Sequence, residues 1–246
     1  VPRVPHPRHH GKSQCGTRGD AIVELDEAVG KLLSALESLK LADNTLVIFS
    51  SDNGGVMDDG YEDVGNFDHP CNGDLRGYKG SLFEGGHRVP MIARWPGRIP
   101  ARSSCDELVT LLDLTASFAA LTEQAIPEGA AIDSCNVLPA LLGDPHDKPG
   151  RETFVAHVGG VAGKVPLAIR HGQWKLITEG GARASYKDAN KSNRTPPTAE
   201  ARKPFLVNLT EDPGESKNVA SDHPERVLEM NRLLETIIAQ GRGTEP

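Results

Sequence analysis

The sequence predicts an α/β protein whose last third turns into a small antiparallel sheet closed by a helix. Three observations carry this reading. Apolar residues recur at helical spacing from Ile22 to Leu39, and the short apolar run Thr45–Ser50, TLVIFS, follows at once. Helix followed by buried strand is half of a βαβ unit, and a strand apolar on both sides is the habit of parallel sheets. After about Gly150 the chain breaks into short strand-like runs, whose close spacing favours antiparallel pairing. Two units are therefore expected: an α/β part over 1–150 and an α+β subdomain over 151–246.

The elements follow in order. Residues 1–18 carry Arg3, Arg8, Lys12 and Arg18 and no acid, with Pro2, Pro5, Pro7, His6, His9 and His10 among them, and read as an extended arm. In the helix that follows, Ile22, Leu25, Val29, Leu32, Leu33, Leu36 and Leu39 share one face. Asp20 suits its N-cap or first turn, where the helix dipole favours negative charge. The helix stops near Ala42-Asp43-Asn44. After the strand, residues 56–78 are rich in Gly, Asp and Asn without periodicity, and a structureless stretch of this length is usually functional or disordered. The run VPMIARW, between Pro90 and Pro96, reads as a second buried strand. Asp106–Leu121 has the pattern of an amphipathic helix, and Asn136–Leu142 that of a turn or short helix.

Beyond Gly150, four strands are expected at Thr153–Val158, Leu167–Arg170, Trp174–Thr178 and Phe205–Leu209. The polar segment Gly180–Lys203 between them reads as a loose insertion. Three Asn-x-Ser/Thr triplets, at Asn190, Asn193 and Asn208, are common by chance and carry little weight. A helix with Val227, Met230, Leu233, Leu234, Ile237 and Ile238 on one face closes the chain, and Gly241 suits its C-terminal end.

Composition excludes several classes. The chain has 246 residues, 27 basic and 34 acidic, for a net charge of −7. Its apolar share of 37%, with 26 glycines beside it, is near the globular norm, so disorder throughout is excluded. No apolar run approaches the ~18 residues of a membrane span, and no leader pattern opens the sequence. The mild acidity argues against a general nucleic-acid binder. Cys15, Cys71, Cys105 and Cys135 form no C-x-x-C pair, and four cysteines in a chain this long make neither a zinc ribbon nor a disulfide scaffold. Free or partly buried thiols are expected. Val1 in place of Met marks the sequence as processed or as a piece of a longer chain.

Chemistry concentrates around the first strand. Ser51-Asp52-Asn53-Gly54-Gly55 begins where the strand ends, and ligands in open α/β sheets bind beyond the carboxyl ends of strands. Asp52 and Asn53 offer adjacent oxygens of the kind that suit Ca²⁺ or Mg²⁺, although Asp-Asn-Gly is also a common turn. Lys79 lies 27 residues beyond Asp52, between Gly77 and Gly80. Its ammonium would suit a tetrahedral anion as a point charge, or it is an ordinary surface lysine. Glu84 and Arg88 could pair, since a buried Glu or Arg needs a partner. The neighbours Asp58 and Asp59 read as solvated.

These residues lie in motifs that resemble a known family. DNTLVIFSSDNGG and LRGYKGSLFEGGHRVPMIARWPGRI resemble the second half of a type I sulfatase, of the arylsulfatase kind. So do GDAIVELDEAVGKLLSALESLKLADNT before them and AIRHGQWKLI with LVNLTEDPGESKNVASDHPERVLEMNRLLE after them. The resemblance implies part of an alkaline-phosphatase-like mixed sheet flanked by helices, plus a small C-terminal antiparallel sheet with a helix. It implies sulfate-ester hydrolysis at a divalent metal, Ca²⁺ or Mg²⁺, with Asp52 and Asn53 as metal ligands. It implies that Lys79 contacts the sulfate, with possible help to the leaving group. The family nucleophile is a formylglycine made in a Cys/Ser-x-Pro/Ala-x-Arg motif. That motif is absent, Cys15-Gly16-Thr17-Arg18 failing on spacing. The family's N-terminal Asp pair is absent too, and His6 is only a stand-in for a substrate-contacting His.

The sequence is thus expected to be the C-terminal half of such an enzyme, inactive alone. The expected partner is a sulfated small molecule or a sulfated carbohydrate. The resemblance also suggests export to a periplasmic, extracellular or lysosomal compartment. Two other readings compete: a metal-dependent phosphatase or phosphodiesterase of the same superfamily, and a non-catalytic binding module.

Overall fold

The computed structural model describes residues 4–56, 69–158, 165–179, 181–182 and 203–243. The Asp58-Asp59 pair, much of the long loop and nearly all of the Gly180–Lys203 insertion lie outside those residues.

The first element corrects an expectation. Residues 4–15 are not an extended arm: Pro7–His9 form a 3-10 turn, and His9 is buried. Helix α1 spans Gly16–Ser38. Its early start puts Asp20 in the second turn, not at the N-cap or in the first turn. The Asp20 carboxylate reaches back and accepts the Gly11 and Ser13 amides at 2.7 and 2.8 Å, folding the arm onto the helix. Those two backbone amides hold its pKa below the usual carboxylate value. Of the 23 residues of α1, only Gly19 and Asp20 are buried. The apolar stripe is there, but Ile22, Leu25, Leu32 and Leu39 stay exposed.

Strand β1 is Val47–Ser50, and β2 is Met91–Arg94. They pair antiparallel, Val47 opposite Arg94 and Ser50 opposite Met91, as a two-stranded sheet. This overturns the expectation of a parallel strand buried on both faces, since every β1 residue is half-buried. A continuous apolar run of four to six residues carries no signal of strand direction, which is set by the partner. Between the strands lies the one-turn helix α2, Glu84–His87, fully buried over Glu84–Gly86.

The helix expected over 106–121 is shorter. Thr110 and Asp113 form a reciprocal capping box that starts a 3-10 turn at Leu111–Asp113, continued by α3, Leu114–Leu121. Helix α4, Leu138–Leu142, ends on Gly143 in the left-handed region. Asp113 is fully buried and takes a two-pronged contact from Arg151, with Nε to Oδ2 at 2.9 Å and Nη2 to Oδ1 at 2.6 Å. Arg151 also donates to the Thr153 carbonyl, so one side chain ties α3 to the start of the next sheet.

That sheet follows the expectation closely. Strands β3 (Thr153–His157), β4 (Leu167–His171), β5 (Trp174–Ile177) and β6 (Phe205–Asn208) pair antiparallel in chain order. Alternation sends residues to two faces. Ala168, Ile177, Phe205 and Val207 pack on one side against Leu82 and Phe83, from the segment that carries Lys79 and Glu84. Ile169, Leu176 and Leu206 pack on the other against Met230 and Leu234 of α5, Pro224–Gln240. Phe83 and Phe205 meet edge to face with ring centres 5.3 Å apart. The small sheet is therefore the floor under the loop before α2, and α5 backs the floor. Helix α5 ends at Gly241 with φ of 68°, as its sequence suggests. The four cysteines are free thiols.

Candidate functional site

Three glycine-bearing segments interlock beyond the end of β1. The Gly54 amide donates to the Gly86 carbonyl at 3.0 Å. The Lys79 amide donates to the Gly55 carbonyl at 2.9 Å, and the Gly85 amide to the Arg76 carbonyl at 2.7 Å. Asn72 bridges the same loops, accepting the Gly55 amide on Oδ1 at 2.6 Å and donating from Nδ2 to the Gly77 carbonyl at 2.9 Å. The approach is so close that side chains do not fit. A Cβ on Gly54 would fall 1.8 Å from the Gly85 carbonyl oxygen, and one on Gly85 would fall 2.3 Å from that of Gly77. Gly77 and Gly80 also take φ of 86° and 81°, the left-handed region that glycine enters without cost.

This knot brings the sequence-predicted residues together at the backbone. Asp52 and Asn53 stand in the turn after β1, and Lys79 is hydrogen-bonded to Gly55, two positions past Asn53. Asp52 and Lys79 are exposed, and neither side chain has an ion pair or hydrogen bond with the described residues. Asn53 donates from Nδ2 to the Gly54 carbonyl at 3.0 Å, which leaves its Oδ1 as an acceptor. These oxygens suit a hard cation and would supply two of the six to eight that Ca²⁺ takes. Among the described residues, no three His, Cys, Asp or Glu side chains gather in a metal-holding group. His6 is engaged elsewhere: its amide donates to Glu24 of α1, and its Nδ1 accepts the Arg8 amide.

Beneath the knot lies an ionic cluster that sequence reasoning missed. Lys175, 1% exposed on β5, sets its ammonium 2.8 Å from Oε1 of Glu84 and 2.9 Å from Oε1 of Glu215. The Glu84 amide donates to Glu215 Oε2 at 2.5 Å. The expected Glu84–Arg88 contact exists at 3.8 Å, but it is secondary to Lys175. Burial raises the Glu84 pKa, yet Lys175, with His87 beside it, outweighs that and holds the carboxyl below its usual value. Burial wins at Glu215, whose pKa is raised. His87 lies 3.3 Å from the Lys175 ammonium and 3.1 Å from the Leu82 carbonyl. Burial, then the adjacent ammonium, pushes it down to about 4. A lysine inside the apolar run Trp174–Ile177 was the available signal for this cluster, and its partners lie 91 and 40 residues away in sequence.

A mixed α/β layer with a glycine-knit loop cluster, floored by a small antiparallel sheet, is the class of structure found. Known proteins place it further. The sulfatase family description matches residues 3–124. An N-acetylgalactosamine-6-O-sulfatase of Bacteroides thetaiotaomicron is 43% identical over 241 residues, covering 96% of this chain and 45% of that protein. Arylsulfatase A of Bos taurus is 35% identical, over 95% of this chain and 45% of its own length. A solved structure from work on the metabolism of multiple glycosaminoglycans by Bacteroides thetaiotaomicron superposes with a TM-score of 0.80 at 41% identity, covering 96% of this chain and 48% of that one. The chain belongs to the sulfatase family, and it spans about half the length of the relatives it matches. No described helix is long and apolar enough to cross a membrane.

Proposed function

We propose that this chain contributes one side of a sulfate-ester hydrolase site, with Asp52 and Asn53 as metal ligands and Lys79 as the sulfate contact. The observation that supports this most is the Lys79-to-Gly55 backbone bond, which joins the segment carrying Lys79 to the turn carrying Asp52 and Asn53. In water a lone ammonium binds an anion weakly, and a low-dielectric site strengthens the attraction. Lys79 would neutralise sulfate charge and could steady the departing oxygen. Asp52 and Asn53 would hold Ca²⁺ or Mg²⁺, which would supply Lewis-acid polarisation of a sulfate oxygen. The remaining ligands and a formylglycine nucleophile would come from residues outside this sequence. The substrate class we favour is a sulfated carbohydrate, because the 43%-identical relative is named for a sulfated amino sugar.

The test is a chimera in which the first half of that Bacteroides relative precedes Val1, made in cells that form formylglycine. The chimera is expected to hydrolyse 6-sulfated N-acetylgalactosamine, and its Lys79→Ala form to lose at least a hundredfold in turnover. The chain by itself is expected to leave 4-nitrocatechol sulfate intact. A well-folded chimera that cleaves a phosphate ester and no sulfate ester would favour the phosphatase reading. One with no hydrolysis at all would favour a binding module.

A further inference from the structure

Between the Lys175 ammonium and the exposed Lys79 runs an unbroken sequence of short contacts. Lys175 meets both Glu84 and Glu215. Glu215 accepts the Glu84 amide on its carboxylate and the Arg76 guanidinium, at 2.7 Å, on its carbonyl. Arg76 in turn lies 4.0 Å over the Phe83 ring and accepts the Gly85 amide on its carbonyl. Gly86 accepts from Gly54, and Gly55 accepts from Lys79. Glu215 itself sits at φ of 52°, uncommon for a residue with a side chain. The Asp212 carboxylate holds that turn by accepting the Lys217 amide at 2.9 Å and the Ser216 hydroxyl at 3.1 Å. The other titratable groups facing the cluster are His87, Arg88 and Arg170.

The expense of this arrangement argues that it does more than add stability. Two carboxylates and an ammonium in a dry interior gain little over well-packed apolar side chains of the same volume. What such a cluster does supply is direction. The ammonium holds each carboxylate at hydrogen-bonding distance, and the one-turn helix α2 cannot rotate without breaking the Glu84 contacts to Lys175 and Glu215.

We infer that Lys175 is a positioning residue: from the C-terminal sheet, through Glu84 and Glu215, it fixes α2 and so sets the relative placement of the Asp52–Asn53 turn and Lys79. That those three residues form a site rests on the function proposed above. The mechanical tie does not, and it can be tested without substrate.

The experiment compares amide hydrogen exchange and ¹H–¹⁵N shifts in the whole chain and in Lys175→Met. The Gly54, Lys79 and Gly85 amides are expected to exchange at least tenfold faster in the variant and to shift, while amides of α3 and α4 keep their rates. Should the lone substitution unfold the chain, Lys175→Met with Glu84→Gln removes one of the two carboxylates left without their cation and is read in the same way. Unchanged exchange at Gly54, Lys79 and Gly85, or an equal acceleration throughout the chain, would overturn the inference and leave Lys175 a stabilising residue only. An inactive chimera with the exchange effect intact would defeat the proposed function and leave the tie standing.

Discussion

His87 offers a quantitative test of the buried cluster. Its side chain is 24% exposed, and burial beside the Lys175 ammonium lowers its pKa from 6.5 to about 4. The neutral ring is therefore the form that the fold favours. Above pH 6.5 the folded and unfolded chains both carry it neutral, and stability is at its full value. As the pH falls from 6.5 towards 4 the unfolded chain takes up a proton that the folded chain refuses, so stability is lost through that window. At about 1.4 kcal/mol per pKa unit, the loss reaches about 3 kcal/mol. For a chain of this size that corresponds to roughly 6–12 °C in melting temperature. Glu84 loses stability on acidification below its own ordinary pKa, and Glu215, with its raised pKa, gains it, so the wild-type curve alone is a mixture. The clean measurement is the difference between the native chain and His87→Gln, whose amide can still meet Lys175 and the Leu82 carbonyl. Urea titrations followed by circular dichroism at pH steps from 7.5 to 4.0 should show the native chain losing about 3 kcal/mol more than the variant. Parallel curves would refute the reasoning, because they would mean that His87 titrates alike in both states.

Three further outcomes are expected. Arg151→Met should cost about 3–5 kcal/mol in urea unfolding, since it leaves the Asp113 carboxylate buried without its cation; a loss under 1 kcal/mol would show that Thr110 and the Cys135 amide satisfy Asp113 unaided. Gly54→Ala should cost more than the 1–3 kcal/mol usual for an overpacked core, because its Cβ meets backbone and not a movable side chain; a melting temperature within 2 °C of native would contradict that. Lys79→Ala and Asp52→Ala should each stay within about 0.5 kcal/mol of native stability, as exposed substitutions do, and calorimetry should find at most weak Ca²⁺ binding to the chain, with tight binding abolished by Asp52→Ala as the contrary result.

The local elements were readable in the sequence because each is set by nearby residues. Phe205–Asn208 and Trp174–Ile177 have the length and apolar content of buried strands, and Gly241 marks the end of α5 by chemistry that is local. The glycines around Asp52 and Lys79 were readable as places of close backbone approach, and they meet one another in the structure. What escaped was everything decided by a partner far along the chain. Whether β1 runs parallel or antiparallel depends on β2, 40 residues on, and nothing in TLVIFS encodes it. The start of α1 and the folding back of residues 4–15 depend on Asp20 capturing two amides, a choice that its spacing alone leaves open. Glu84 was legible as a group that would need a counter-ion if buried, and the sequence offered the nearby Arg88 as one candidate. That contact is present at 3.8 Å, but the shorter one comes from Lys175 on the sheet behind, at 2.8 Å.

The interlocked glycines carry a consequence for how such a chain can vary. Gly54 is shaped around the carbonyl of Gly85, Gly85 around that of Gly77, and Gly86 around that of Ser81. Each position is the mould of the next. A library of single substitutions should therefore return these sites as frozen, while Asp52 and Lys79, which do the proposed chemistry, accept replacements at no cost to folding. Selection for a stable product and selection for turnover would then act on different letters of the same short motif. A descendant that had lost its activity could keep the glycines long after the charged residues had drifted.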